Sequence, residues 1–163
     1  MKILTTIFPK TANNNYLGSK IAFYGLIPIL FVYTFRSFVH FLKNDSGVND
    51  IATIKIFNET NGLDPNLVIY MYSSLWGGVQ VLLLIFCMII FIRYKSLIPF
   101  LWIIIFLDYV FRLITTYLHP LTPEYYISRP PGGITNIYFL GYSIIMFLLS
   151  IRNRAKSLWK KLS

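Results

Sequence analysis

The chain has 163 residues, 56% of them hydrophobic and only 13% charged, with a mean hydropathy of +0.61. That length suits one domain, and that composition excludes an intrinsically disordered chain and argues against an ordinary soluble one. The net charge of +9 excludes little until its placement is considered, because basic residues flanking apolar runs report membrane topology, not nucleic-acid binding.

Residues 1–20 contain Pro9 and a polar stretch at 11–15, which predict a loose N-terminal arm. The apolar stretch 4–8 is too short for the core of a signal peptide, and no small-residue cleavage site follows it. Four apolar runs come next, at 21–42, 67–92, 97–118 and 134–151. A spanning helix takes about 20 apolar residues, so three runs are long enough and the fourth is at the short limit. The predicted fold is all-α, an integral membrane antiparallel four-helix bundle. It divides into the arm (1–20), a transmembrane domain (21–151) and a basic tail (152–163).

The connections carry their own signals. In the loop 43–66, Asn49 or Asp50 is placed to cap a short amphipathic helix with Ile51, Ile54 and Phe57 on one face, closed by Gly62. A tight turn at 93–96 makes the second and third helices antiparallel neighbours. The stretch 119–133 holds Pro120, Pro123, Pro130 and Pro131 before Gly132 and Gly133, which predicts a stiff cap with a sharp re-entry at the glycines. The sequons at Asn44 and Asn58 both fall in the first loop.

Sorting the basic residues by side fixes an orientation. Lys2, Lys10, Lys20, Arg93, Lys95, Arg152, Arg154, Lys156, Lys160 and Lys161 fall on one side, against Lys43, Lys55 and Arg129 on the other. The positive-inside rule places both termini in the cytoplasm of a plasma or inner membrane. The tail 152–163 reads as a topology anchor suited to anionic lipid heads.

Three charges lie within the runs: Arg36, Asp108 and Arg112. Ionisable groups at membrane depth are rare and face a bundle interior or a cavity. Asp108 and Arg112 are spaced i, i+4 and are predicted to pair on one helix face. Arg36 and Arg112 each lie six residues from the end of their run, roughly 9 Å deep at ~1.5 Å per residue, in matching strings ending Phe35-Arg36 and Phe111-Arg112. Arg36 is expected to lack a carboxylate partner at its depth. Gln80, Ser73, Ser74 and Tyr109 are placed at similar levels. Together these residues predict a polar cavity in the outer half of the bundle, holding the head of an amphipathic ligand. The competing reading is a structural clasp between helices. The recurrence of Tyr-x-Phe-Arg, followed each time by a histidine (His40, His119), is compatible with a weak internal repeat. Gly77 and Gly78 read as a close helix contact, and Cys87 as packing. No metal-ligand spacing, phosphate loop or nucleophile elbow occurs. No cofactor and no nucleic-acid partner is expected.

The segment Asn66-Leu67-Val68-Ile69-Tyr70-Met71-Tyr72-Ser73-Ser74-Leu75-Trp76-Gly77-Gly78 opens the second helix, and Phe111-Arg112-Leu113-Ile114 closes the third. With the helix–loop–helix–turn–helix order, they resemble the DoxX-like superfamily of small four-helix membrane proteins, among its members of unknown function. Arg112 matches the family's arginine near the end of the third helix, and Phe111 stands where the family has glycine. The resemblance implies a membrane protein acting near quinones or redox partners. The functional expectation is a lipid-like or quinone-like ligand held within a larger complex, with membrane lipids, a quinone or isoprenoid and other membrane proteins as partners. The alternatives are a structural accessory subunit, a lipid or isoprenoid isomerase with Asp108 as acid or base, and a small transporter.

Overall fold

The computed structural model describes residues 2–160, with side chains described for 3–152. It is an all-α fold with four apolar helical segments of membrane-spanning length, Lys20–Leu42, Pro65–Arg93, Lys95–Leu118 and Pro131–Arg152. The chain is a small multi-span membrane protein. Its helices are α1 (Lys2–Ile7), α2 (Lys20–Tyr24), α3 (Leu26–Leu42), α4 (Pro65–Arg93), α5 (Ile98–Leu118) and α6 (Pro131–Lys160). The expected basic tail lies, for the side chains of 153–163, outside the described residues.

Local chemistry accounts for the boundaries. Ser19 caps α2 by accepting from the Ile21 amide at 3.2 Å. The first span is divided between α2 and α3 at Gly25. Pro28 has no amide hydrogen to give the Tyr24 carbonyl four residues back, and its ring crowds that carbonyl. Asp64 caps α4, accepting from the Asn66 amide at 2.8 Å, with Pro65 in the first turn.

Three expectations need correction. The arm is not loose: α1 buries Thr6 and Ile7, Phe8 packs 5.1 Å from the Phe100 ring, and Asn13 accepts from the Ser96 amide and donates its own amide to Ser96 Oγ. Nor does the loop 43–64 contain an amphipathic helix. Ser46, Gly47, Thr53, Asn61 and Gly62 all take positive φ, which interrupts any helical run. The loop is instead pinned to the other long connection, where Lys55 donates to Tyr125 and Ile127 to Thr53 across an isolated bridge between Ile54 and Tyr126. Finally, Gly132 and Gly133 do not form a re-entry turn. They lie in the first turn of α6, because Pro131 is suited to open a helix.

The apolar core lies toward the end of the bundle that carries the 94–97 turn. Leu26, Ile29, Leu30 and Tyr33 of α3, Leu84, Cys87 and Ile90 of α4, and Ile98, Leu101, Trp102, Ile105 and Tyr109 of α5 form it. The spacing within each helix, three or four residues, puts each set on one face. Trp102 anchors it by donating to the Ala22 carbonyl at 3.1 Å. Gly77 sits against the α3 backbone: a Cβ there would stand 2.6 Å from the His40 carbonyl carbon. The remaining helix surfaces stay apolar and exposed, as in a protein solvated by lipid.

Candidate functional site

Toward the other end of the same helices the core gives way to polar groups. The face of α3 that buries Ile29 and Tyr33 continues to Arg36, Ser37 and His40. The face of α5 that buries Ile105 continues to Asp108, Tyr109 and Arg112. Helix α4 adds Trp76 and Gln80. Helical periodicity alone brings these side chains together.

Asp108 is the hub. Its Oδ2 accepts from the Tyr33 hydroxyl at 2.9 Å and from Arg112 Nε at 3.0 Å, and its Oδ1 accepts from Arg112 Nη2 at 3.1 Å. The expected i, i+4 pair is therefore bidentate. Arg36 is not without a carboxylate, contrary to the sequence expectation, since its Nη2 lies 3.6 Å from Asp108 Oδ2. The distance along the sequence between 36 and 108 hid this contact. Gln80 Oε1 accepts from Nη2 of both arginines, each at 2.8 Å. Trp76 covers them, with its ring 4.8 Å from the Arg112 guanidinium carbon and 5.9 Å from that of Arg36. The three charged side chains are only 14–16% exposed. Two cations thus share one anion in a largely buried setting, leaving one positive charge in excess. Arg36 Nε and the Tyr109 hydroxyl are buried and find no hydrogen-bond partner among the described residues.

Of the site residues expected from the sequence, Arg36, Gln80, Asp108 and Arg112 converge. Tyr109 lies alongside, its ring stacked 5.3 Å from Phe139. Ser73 and Ser74 turn to the backbone instead, donating to Ser46 and Phe41 carbonyls at 3.4 and 3.1 Å. Three further residues belong to the site. Tyr33 was visible only as part of the repeated string. Trp76 stands in the string that opens the second span, where nothing in the sequence gives it a role. Asn136 sits where the sequence shows only the start of an apolar run.

Beside the cluster lies a cleft of about 320 Å³ between α3 and the first turns of α6. Phe31, Val32, Phe35 and Phe139 supply its apolar walls, while Arg36, His40, Arg112, Thr135 and Asn136 line its polar end. His40 is fixed there: its Nδ1–H donates to the Ser46 carbonyl at 2.6 Å, Ser46 Oγ donates back to the His40 carbonyl, and its ring meets Trp76 edge-on at 4.7 Å. Only a protonated Nδ1 can bond a carbonyl, which sets the tautomer.

No family model, no curated protein and no solved structure matches the chain. The DoxX-like resemblance rests on the residues quoted for it, and the site is argued from its geometry.

Proposed function

We propose that this protein binds an amphipathic, lipid-like or quinone-like ligand in the cleft between α3 and α6, within a larger membrane complex. The observation that carries this reading is the sharing of one carboxylate by two arginines at the end of an apolar cleft. Burying a surplus cation is costly unless something offsets it. A polar head at Arg36 and Arg112, with a hydrocarbon part against Phe31, Phe35 and Phe139, does so. Asp108 orients Arg112, and Gln80 fixes the two guanidinium planes.

In this reading consecutive helices run antiparallel, both termini are cytoplasmic and the cleft lies in the outer half of the membrane. The charge asymmetry of the connections favours that orientation, and the contact between the two long loops puts them at the same end. A DoxX-like membership is compatible with it.

The second reading, a structural accessory subunit, draws on Gln80, which ties α3 to α5 through both arginines. An isomerase role for Asp108 is disfavoured because both carboxylate oxygens already accept hydrogen bonds.

Native mass spectrometry of detergent-purified protein separates these. Ligand binding predicts one lipid-like adduct per chain, lost in Arg112→Leu while the protein still inserts. An unchanged adduct in that variant, or none in the wild type, overturns the proposal.

A further inference from the structure

The chemistry of the ligand's head can be narrowed, on the assumption that the cleft holds an amphipathic ligand at all. A second chamber, of about 310 Å³, adjoins the cleft and is bounded by Asp108, Thr115 and Thr116. Trp76, Arg112 and Asn136 line both spaces and form the seam between them. One space is walled mainly by apolar groups and the other mainly by polar ones, so the seam is where a molecule would pass from apolar to polar.

The seam is cationic, because Arg112 lies on it and Arg36 lines the cleft beside it. Arg36 and Arg112 meet a single carboxylate, and no other Asp or Glu pairs with either among the described residues. Each guanidinium uses Nη2, and Arg112 also uses Nε, whereas Nη1 of neither donates to a protein group among the described residues. Arginine presents its donors in a fixed fork that suits phosphate. Helix α6 begins at the cleft wall, with Pro131 and Gly132 lining it, so the positive end of its dipole lies on the same side.

We infer that the ligand is a phospholipid with net negative charge, its phosphate at the seam between Arg36, Arg112 and Asn136. A neutral quinone leaves the excess charge uncompensated, and a carboxylate offers fewer acceptor oxygens than the donors gathered there. The acyl chain lies in the cleft, where Phe31 and Phe35 are 74% and 59% exposed on the lipid-facing surface. The polar substituent on the phosphate occupies the second chamber, within reach of Thr115 and Thr116.

The test uses delipidated full-length protein in native mass spectrometry, offered phosphatidylglycerol, phosphatidylcholine, ubiquinone or inorganic phosphate. Phosphatidylglycerol should bind one per chain and outcompete phosphatidylcholine by roughly tenfold or more, the effect of one charge-assisted hydrogen bond. Asn136→Asp sets a carboxylate at the seam without touching the Asp108 contacts, and should abolish that preference. Asn136→Ala should weaken it.

Equal retention of phosphatidylcholine or ubiquinone overturns the anionic head while leaving an amphipathic ligand in place. Displacement of the lipid by inorganic phosphate alone overturns the lipid as its source. An unchanged preference in Asn136→Asp overturns the placement at the seam. Failure to retain any lipid or quinone overturns both this inference and the proposed function.

Discussion

Asp108→Asn is the most informative perturbation of the cluster. The replacement keeps the side chain's shape and one acceptor oxygen but removes the sole negative charge. Nη2 atoms of Arg36 and Arg112 both lie 2.8 Å from one oxygen of Gln80, so the two are at most about 5.6 Å apart. At that limit and an effective dielectric of about 20, the uncovered repulsion is at least about 3 kcal/mol. Breaking a buried ion pair by removing one partner costs ~3–5 kcal/mol, so the two routes agree. The variant should therefore shift the folding equilibrium more than a hundredfold, read by tryptophan fluorescence during SDS titration in mixed micelles. Adding Arg36→Gln to it should recover at least half of the loss, because only one cation then remains. An anionic ligand should stabilise Asp108→Asn more than the wild type, since the variant offers it two unopposed charges. A single variant within about 1 kcal/mol of wild type, or a double variant no better than the single, would refute the account of two cations held by one shared anion.

Other consequences are local. Gly77→Ala should cost about 1–3 kcal/mol, because its Cβ meets the α3 backbone, which cannot give way as a flexible side chain does. Gly78→Ala meets only the Phe41 ring at 3.5 Å and should be near neutral, in the same SDS titration. Asn66 holds the loop by accepting from the Phe57 amide and donating to its carbonyl, at 2.9 and 2.7 Å. Asn66→Ala should cost about 1–3 kcal/mol and expose the loop to limited proteolysis before the helices unfold. Asp45 titrates below the ordinary carboxylate range: slight burial pushes it up, but the Gly47 and Asn49 amides and Lys43 outweigh that. A depressed carboxyl adds stability above its unfolded value of about 3.9 and loses it as pH falls through the folded value. The Gly47 amide resonance should thus hold constant from neutral pH down and move only below about pH 4. Asp45→Asn should remove that acid transition.

The spans were legible because hydropathy and length report them directly, and Asp108–Arg112 because i, i+4 neighbours meet by helix geometry alone. The loop 43–64 was misread for a physical reason. Its apolar residues do recur at helical spacing, but Asp45 bonds the Gly47 and Asn49 amides and several residues take positive φ, so local side-chain bonds replaced the helix. Counting residues gives Ser73 and Ser74 a level along the helix but no partner, and both turn to backbone carbonyls. Depth follows from counting residues, whereas facing depends on how α3 packs on α4, and the contact at Gly77 sets that. The Gln80 bridge, the Tyr33–Asp108 bond and the place of Asn136 all join residues at least 32 apart along the chain or depend on where α6 begins. No local pattern encodes them.

The division of the bundle into two ends bears on how binding and folding are coupled. Toward one end, twelve apolar side chains from α3, α4 and α5, Trp102 among them, close on one another. Toward the other, hydrogen bonds replace that packing, and the first turns of α6 stand away from α3 far enough to leave the cleft. In lipid, apolar helix faces gain little by meeting one another, whereas polar contacts and close backbone approach hold helices together. The polar end is therefore a fastening between α3, α4 and α5, and α6 takes no hydrogen-bonded part in it among the described residues. Substitutions on Phe139 or Asn136 should change what the cleft holds with little effect on the α3–α5 clasp, while Asp108 and Gln80 cannot be altered without changing both. Structural and ligand-binding readings of the buried charges are thus compatible: the carboxylate and the amide hold the helices, and the charge they leave uncompensated is what the proposed ligand would meet.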